Sequence, residues 1–267
     1  MHRVAHNGRE TAYRRIDGDG AGPTTLYVHG SGADHRCWVS QYRPDGPAHP
    51  AIAVDLSGHG ESEDIETETT DIEMQAGQET LAAYAADVAA VAHETNPDVV
   101  VGHSLGGAVV FELLLEGLYQ PEAVVFAGTG AKLAVHESVR TMLREDFAGV
   151  VEALHGGLLF SEADTELAQA SRVALLATGQ RITRRDFLTC HRFDVRDRLE
   201  EITVPALALV GEDDRMTPPS YHEYLAENIP ECEYAVIEDA GHLAMLEQPT
   251  AFNAAVAAFM DSRLRSD

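Results

Sequence analysis

Short apolar runs alternate with stretches of helical periodicity along most of the chain. The apolar runs predict strands at residues 24–28, 51–56, 99–101, 123–127, 206–210 and 234–237. Stretches in which apolar residues recur every three or four positions predict helices at 38–42, 79–94, 105–115, 219–227 and 250–263. Strands that alternate with helices form a mostly parallel sheet with helices on both faces. The sequence therefore predicts an α/β fold.

Two regions depart from this alternation. Residues 1–17 alternate between polar and apolar positions and contain Asn7-Gly8, which predicts an edge hairpin. From 131 to 198 the strand pattern is replaced by stretches rich in Leu, Ala, Glu and Arg, which predict helices. We therefore predict a core made of residues 1–130 and 199–267, and an all-helical cap insertion at 131–198 that lies over the strand ends.

Charge separates this chain from an ordinary α/β protein. Its 267 residues include 44 Asp and Glu against 19 Lys and Arg, a net charge of −25, and Lys132 is its single lysine. Such a surface repels phosphate and anionic lipid headgroups, which argues against a nucleic-acid or membrane partner. An acidic surface with almost no lysine resembles the proteins of salt-in halophiles, so we expect stability to rise with salt.

Cysteine usage and hydropathy indicate a cytoplasmic protein. Cys37, Cys190 and Cys232 are widely spaced and form no Cys-x-x-Cys pair, which predicts free thiols in a reducing compartment. There is no N-terminal apolar signal region and no apolar run near 18 residues. No two histidines have ligand spacing on one predicted element, so we predict no metal site.

The strongest chemical signal is Gly-His-Ser-Leu-Gly at positions 102–106. It lies between a predicted strand and a predicted helix, the context that a nucleophile elbow requires. Such a turn strains the serine, and Gly102 and Gly106 let neighbouring backbone pass close by. The N-terminus of the following helix favours developing negative charge. Gly-x-Ser-x-Gly also occurs in ordinary glycine-rich turns, but this context predicts that Ser104 is a nucleophile.

A serine hydroxyl becomes a good nucleophile only beside a base, which itself needs an orienting acid. Asp213 and Asp214 follow one predicted strand, and His242 follows the last one. The order Ser, Asp, His is the one expected in this fold class, and active sites form at the carboxyl ends of parallel strands. From the residues alone, either Asp213 or Asp214 can be the orienting acid.

These motifs together resemble α/β-hydrolase-fold enzymes of the capped esterase and lactonase type, over nearly all of the chain outside the predicted insertion. The matching motifs are His-Gly-Ser-Gly at 29–32, Asp-Leu-Ser-Gly-His-Gly-Glu-Ser at 55–62, the elbow at 102–107, Gly-Glu-Asp-Asp at 211–214 and Gly-His at 241–242. The resemblance implies the α/β-hydrolase fold with a helical cap, and a reaction that needs no cofactor.

The resemblance also assigns roles to residues. The family spacing, Gly-x-x-Asp with proline four residues later, selects Asp214 as the acid. An oxyanion hole is implied from the backbone N–H groups of Leu105 and Ser31, with Gly32 as the fallback for Ser31. The motif positions of two further histidines imply structural hydrogen bonding, and these are His59 and His103.

The expected function is hydrolysis of a small or medium carboxylic ester through an acyl-enzyme on Ser104. Serine at the elbow argues against epoxide hydrolases and haloalkane dehalogenases, which carry aspartate there. C–C bond hydrolases often carry tryptophan after the catalytic histidine, where this chain has Leu243. Enol-lactone hydrolysis uses the same triad and remains an alternative, whereas non-catalytic ligand receptors usually lose a triad member.

Apolar residues of the predicted cap offer a lining for a small-molecule ester or lactone, although helical spacing also suits packing of the cap on the core. They are Phe147, Leu154, Leu158, Leu159, Phe160, Leu175 and Leu176.

Overall fold

The computed structural model describes residues 1–18, 22–42, 50–65, 71–161 and 165–264. An eight-stranded sheet runs through these residues in the order β1-β2-β4-β3-β5-β6-β7-β8, antiparallel at β1-β2 and β2-β4 and parallel elsewhere. The strands are β1 (His2–His6), β2 (Arg9–Ile16), β3 (Thr25–Val28), β4 (Ala51–Val54), β5 (Val99–His103), β6 (Ala123–Ala127), β7 (Ala206–Gly211) and β8 (Cys232–Ile237). The predicted α/β architecture is confirmed.

The described helices cover both faces of this sheet. They are α1 (Val39–Tyr42), α2 (Ile72–Gln75), α3 (Gln78–Thr95), α4 (Leu105–Leu115), α5 (Glu137–Glu145), α6 (Phe147–His155), α7 (Thr165–Arg192), α8 (Pro219–Asn228), α9 (Ala244–Glu247) and α10 (Pro249–Leu264). Short 3₁₀ helices occupy His35–Trp38 and Leu199–Glu201. Among the helices described, none is long and apolar enough to cross a lipid bilayer.

Side chains of the central strands point alternately to the two faces of the sheet, and this produces two cores. Leu26 and Val100 are register partners whose side chains join the cluster under α3, α4 and α8. Their neighbours Tyr27 and Val101 point to the opposite face, where they pack with α10 and with Trp38. Because successive strand residues face opposite sides, continuous apolar runs such as 99–101 are what a doubly covered sheet requires.

The N-terminal hairpin forms as predicted. Asn7 and Gly8 have φ of 46° and 78°, the left-handed pair of a two-residue hairpin turn, and they join β1 to β2. β2 then pairs antiparallel with β4. The hairpin therefore extends the sheet at the edge opposite β8.

Between β6 and β7 the chain forms α5, α6 and α7, which we call the helical segment. A single antiparallel bridge between Lys132 and Asp194 closes its base. Leu143, Val151 and Phe187 belong to an apolar cluster of its own. α7 is broken at Gly179, where φ is 82° and ψ is 165°. The helices predicted at 131–198 are therefore present.

Candidate active site

Ser104 stands at the sharp turn between β5 and α4. Its φ of 54° is rare for a residue with a side chain, which confirms the predicted strain. A Cβ on Gly106 would lie 2.4 Å from the Val28 carbonyl oxygen, so only glycine allows the helix to approach β3 this closely. The turn is held by the Ser104 N–H, which donates to the Ala127 carbonyl at 3.0 Å. Thr129 Oγ1 donates to the Ser104 carbonyl at 2.9 Å.

His242 and Asp214 meet at the carboxyl ends of β7 and β8. His242 Nδ1 donates to Asp214 Oδ2 at 2.8 Å, and both side chains are almost fully buried. Thr217 Oγ1 donates to the same oxygen at 2.8 Å, while the N–H groups of Met216 and Thr217 donate to Oδ1 at 2.8 and 2.9 Å. Burial raises the pKa of Asp214, but His242 and these donors outweigh it and lower the pKa to about 2. The carboxylate therefore stays ionised and orients the imidazole.

The neighbouring Asp213 lies in a different environment. It is exposed, and its carboxylate accepts a hydrogen bond from the Ser161 hydroxyl. The His242 ring bonds the carboxylate of Asp214 and not that of Asp213, so the geometry separates two aspartates that the residues alone leave equivalent.

A cavity of about 970 Å³ opens beside these residues, and its lining includes Ser104, His242 and Ser31. Four of the seven predicted cap residues line it: Leu154, Leu158, Leu159 and Leu175. The other three do not, because Phe160 is buried in the core, Phe147 packs within the helical segment and Leu176 is half exposed to solvent. The four lining leucines also pack in the apolar cluster of the helical segment, Phe147 and Phe160 pack without lining the cavity, and Leu176 does neither.

The residues 29–32 follow β3, and we call them the β3 loop. Gly30, Ser31 and Gly32 of this loop line the cavity together with Ser104. Within the described ranges the backbone N–H groups of Ser31 and Leu105 donate no hydrogen bond to the protein. The Gly32 N–H instead donates to Asp186 Oδ2 at 3.0 Å. Of the predicted oxyanion donors, the Ser31 and Leu105 N–H groups thus have no hydrogen-bond partner among the described residues, whereas the Gly32 N–H has one.

Two buried histidines beneath the site are neutral. His29 donates through Nδ1 to the Gly30 carbonyl and accepts the Leu56 N–H on Nε2, and burial lowers its pKa to about 4. His103 Nε2 donates to the His242 carbonyl at 2.8 Å, and burial lowers its pKa to about 3. The structural hydrogen bonding predicted for His103 is present.

His59 differs from these two because both of its ring nitrogens donate. Nε2 donates to Asp186 Oδ2 at 2.9 Å and Nδ1 to the Ser57 carbonyl at 3.2 Å, which is the pattern of an imidazolium. Burial alone lowers the pKa of His59, but the Asp186 carboxylate outweighs it and raises the pKa. The structural hydrogen bonding predicted for His59 is also present, as one half of a buried ion pair.

Sequence reasoning missed the charged network to which this pair belongs. Asp186 and Arg185 lie on α7 with no solvent exposure. Tyr84 OH donates to Asp186 Oδ1 at 2.7 Å, and Arg185 forms an ion pair with Asp64 at 2.8 Å. In sequence, Arg-Arg-Asp at 184–186 has the charge of a solvated helix face, so no local signal reveals its burial.

One set of potential metal ligands occurs in the described residues. Asp34, His35 and Asp55 bring one ligand atom each to within 4.8 Å of the others. His35 donates to Asp55 through Nδ1 at 2.9 Å, and Arg36 donates to Asp34 through Nε at 2.9 Å. His35 and Asp55 are thus hydrogen-bond partners of each other and Asp34 is a partner of Arg36, which gives the cluster a structural explanation without an ion.

Comparisons with known proteins show the family of the chain. Residues 26–255 match the alpha/beta hydrolase family. The chain is 25% identical to 3-oxoadipate enol-lactonase 1 of Acinetobacter baylyi, over 97% of this chain and 96% of that protein. It is 28% identical to the pimeloyl-[acyl-carrier protein] methyl ester esterase of Neisseria meningitidis, over 88% and 92% of the two chains. A solved thermophilic esterase superposes with a TM-score of 0.82 at 30% identity, over 97% of this chain and 96% of that one. The chain belongs to the alpha/beta hydrolase family and is a hydrolase that acts on ester bonds.

Proposed function

We propose that the protein hydrolyses a small or medium carboxylic ester through an acyl-enzyme on Ser104, with His242 as the base and Asp214 as the orienting acid. The observation that carries this proposal is the buried hydrogen bond from His242 Nδ1 to Asp214 Oδ2, 2.8 Å long, at the wall of the cavity that Ser104 also lines. A histidine oriented by an ionised carboxylate is what a serine nucleophile requires.

The reaction proceeds in two acyl transfers. Ser104 Oγ attacks the ester carbon while His242 Nε2 takes the hydroxyl proton, and the imidazolium then protonates the leaving alcohol. Water enters, gives its proton to His242 and attacks the acyl carbon, and Ser104 leaves with that proton. Asp214 keeps Nδ1 protonated throughout, so Nε2 always faces the reacting groups.

The oxyanion of each tetrahedral intermediate is stabilised by the N–H groups of Ser31 and Leu105. Neither donates to another described residue, so neither must give up a protein hydrogen bond. Leu105 is the first residue of α4, where the helix dipole adds favourable potential. A single oxyanion donor contributes about 2.7–4 kcal/mol to transition-state stabilisation in measured cases.

The cavity supports a substrate with an apolar acyl or alkyl group. Leucines 154, 158 and 175 of the helical segment line the same cavity as Ser104, which supports the proposal that residues 131–198 form a cap over the site. Each buried methylene contributes about 0.8 kcal/mol, so a lining of this kind favours medium chains over acetate.

Enol-lactone hydrolysis is the second candidate. It uses the same three residues, and it is supported by the 25% identity to a 3-oxoadipate enol-lactonase over 97% of the chain. C–C bond hydrolysis has less support because Leu243 follows His242.

The decisive experiment is hydrolysis of p-nitrophenyl esters from acetate to palmitate in molar KCl, with wild type and Ser104→Ala side by side. Loss of the nucleophile should lower kcat by several orders of magnitude, up to about a million-fold. Parallel titration of acid released from simple lactones tests the second candidate. Activity that survives in Ser104→Ala would contradict the mechanism, and lactone turnover without ester turnover would select the second candidate.

We also propose that the enzyme is adapted to high salt. The net charge of −25 makes the folded state repel itself in dilute buffer. Molar salt shortens the screening length to about 3 Å, so the repulsion disappears while buried ion pairs are little affected. Thermal melts from 0.1 to 3 M KCl should show Tm rising with salt, and a flat Tm would contradict this adaptation.

A further inference from the structure

The helical segment holds Gly32 of the β3 loop from both sides. The Gly32 N–H donates to Asp186 Oδ2 at 3.0 Å, and the Gly32 carbonyl accepts from Thr178 Oγ1 at 2.9 Å. Thr178 and Asp186 lie on opposite sides of the break at Gly179, so each half of α7 holds one side of this residue. The end of the β3 loop is thus fixed by a segment more than 140 residues away in the chain.

The Asp186 carboxylate is itself held in one orientation. It has no solvent exposure and accepts hydrogen bonds from three groups, the Gly32 N–H at 3.0 Å, His59 Nε2 at 2.9 Å and the Tyr84 hydroxyl at 2.7 Å. A buried ion pair such as His59–Asp186 contributes little to stability compared with apolar packing of similar volume. Its placement against the β3 loop points to a second role.

We propose that Asp186 is a positioning residue for the oxyanion hole, an inference that rests on the proposed function. The N–H groups of Ser31 and Gly32 belong to consecutive peptides joined at the Ser31 Cα. Asp186 accepts the Gly32 N–H and so fixes the Ser31–Gly32 peptide. Because the Gly30–Ser31 peptide is joined to it at the Ser31 Cα, its rotation is limited as well. The Ser31 N–H therefore keeps one direction while the ester carbonyl becomes an oxyanion.

Loss of the hydrogen bond from the Gly32 N–H to Asp186 should lower kcat strongly and should change KM little. Displacement of a catalytic group by about 1 Å costs up to about 100-fold in rate. An oxyanion donor binds the transition state more strongly than the ground-state carbonyl, so its displacement lowers kcat with little change in KM. For Asp186→Ala we expect kcat to fall about tenfold to 100-fold and KM to stay within about threefold.

Asp87 on α3 offers a matched control. Its carboxylate is also fully buried and accepts a backbone N–H, from Ser57 at 2.8 Å, together with the Arg9 guanidinium at 2.7 Å. Asp87→Ala therefore also leaves buried donors unpaired, but none of these donors belongs to the β3 loop. Both variants should lose stability in urea unfolding. In assays under conditions where both variants remain folded, kcat should fall in Asp186→Ala and should stay at the wild-type value in Asp87→Ala.

A trifluoromethyl ketone that matches the acyl group gives a readout that stability does not affect. Ser104 Oγ adds to its carbonyl carbon, the hydroxyl proton passes to His242, and the carbonyl oxygen becomes an oxyanion in the hole. Asp186→Ala should lower the affinity for this inhibitor by the same factor by which it lowers kcat. The corresponding secondary alcohol forms no adduct, so it should bind to Asp186→Ala as tightly as it binds to wild type.

Thr178→Val provides a second variant if Asp186→Ala does not fold. It removes only the hydroxyl that holds the Gly32 carbonyl, from a half-buried position. We expect a severalfold fall in kcat with KM unchanged. The proposal is overturned if kcat stays within twofold of wild type in Thr178→Val and in any folded Asp186→Ala, or if Asp87→Ala loses as much kcat as Asp186→Ala. Failure of the proposed function is a separate result, seen as wild-type activity that is absent or that survives Ser104→Ala.

Discussion

The carboxyl edge of the sheet and the helical segment both contribute to the candidate site, but in opposite ways. At the sheet edge, Ser104, Asp214 and His242 lie in turns or loops that follow strands, and short motifs mark each of them. In the helical segment, Thr178 and Asp186 belong to a long helix, and no motif marks them. Local features of the sequence therefore mark the candidate reacting groups, whereas the burial and contacts of Thr178 and Asp186 depend on tertiary packing.

The same contrast appears in the buried histidines. Those that pack against the sheet edge, His29, His103 and His222, are neutral because burial lowers their pKa to about 4, 3 and 4. His59 faces Asp186 of the helical segment and has a raised pKa, although burial acts against it. The sheet edge therefore keeps these three histidines neutral, whereas the contact with the helical segment stabilises a buried ion pair.

After Ser104→Ala, the largest effect is expected at the sheet edge, from Asp214→Asn. An amide in place of the carboxylate stabilises the wrong histidine tautomer, and the equivalent change in other serine hydrolases lowers kcat about 10⁴-fold. Steady-state kinetics on the best p-nitrophenyl ester measure the loss.

Asp213→Asn is the matched control, since the two aspartates are adjacent and only Asp214 bonds His242. Its kcat should stay within a few fold of wild type. Equal losses in the two variants would show that the motif spacing and the geometry have selected the wrong acid.

The next largest effect is on stability in mild acid. His29, His103 and His222 bind protons in the unfolded chain below about pH 6.5 but not in the folded one, where their pKa values are about 4, 3 and 4. Their contribution is complete above pH 6.5 and is lost as the pH falls toward 4. Below pH 6.5, each of these histidines should lower the free energy of unfolding by about 1.4 kcal/mol for every unit by which the pH falls.

Urea unfolding at pH 7, 6 and 5 measures this slope. His222→Gln supplies the control, because its amide oxygen can still accept the Thr129 N–H that His222 Nε2 accepts at 3.0 Å. The slope should fall by about a third in this variant. A stability that is constant from pH 7 to pH 5 would mean that these histidines are not buried as neutral groups.

Much of the fold follows from the sequence because strands at the centre of a parallel sheet are apolar on both faces. The predicted helix at 105–115 matches α4 to the residue, and the predicted strand at 123–127 matches β6. The order Ser, Asp, His places three residues at one edge without knowledge of any contact. The acid could be chosen only through a family resemblance, because the residues around Asp213 and Asp214 are alike in polarity.

The polar contacts of α7 could not be predicted in this way. Asp186 and the exposed Arg181 occur in the same charged stretch, and their sequence context does not distinguish them. Burial of Asp186 depends on Tyr84, about 100 residues earlier, and on His59. Periodicity locates a helix, but only the packed structure shows which of its charges lie inside.

The smallest effect is expected from the cavity wall of the helical segment. Leu158 lines the cavity and is partly buried, so Leu158→Trp should shorten the space for the acyl chain. We expect kcat/KM for the octanoate ester to fall about tenfold, equivalent to the loss of about two buried methylenes, while acetate changes less than about twofold. Leu176→Trp is the control, because Leu176 is 51% exposed and lies outside the lining. If acetate and octanoate fall equally in Leu158→Trp, the wall contributed by α6 and its neighbours does not contact the acyl chain, and selection of the substrate must then come from the sheet edge.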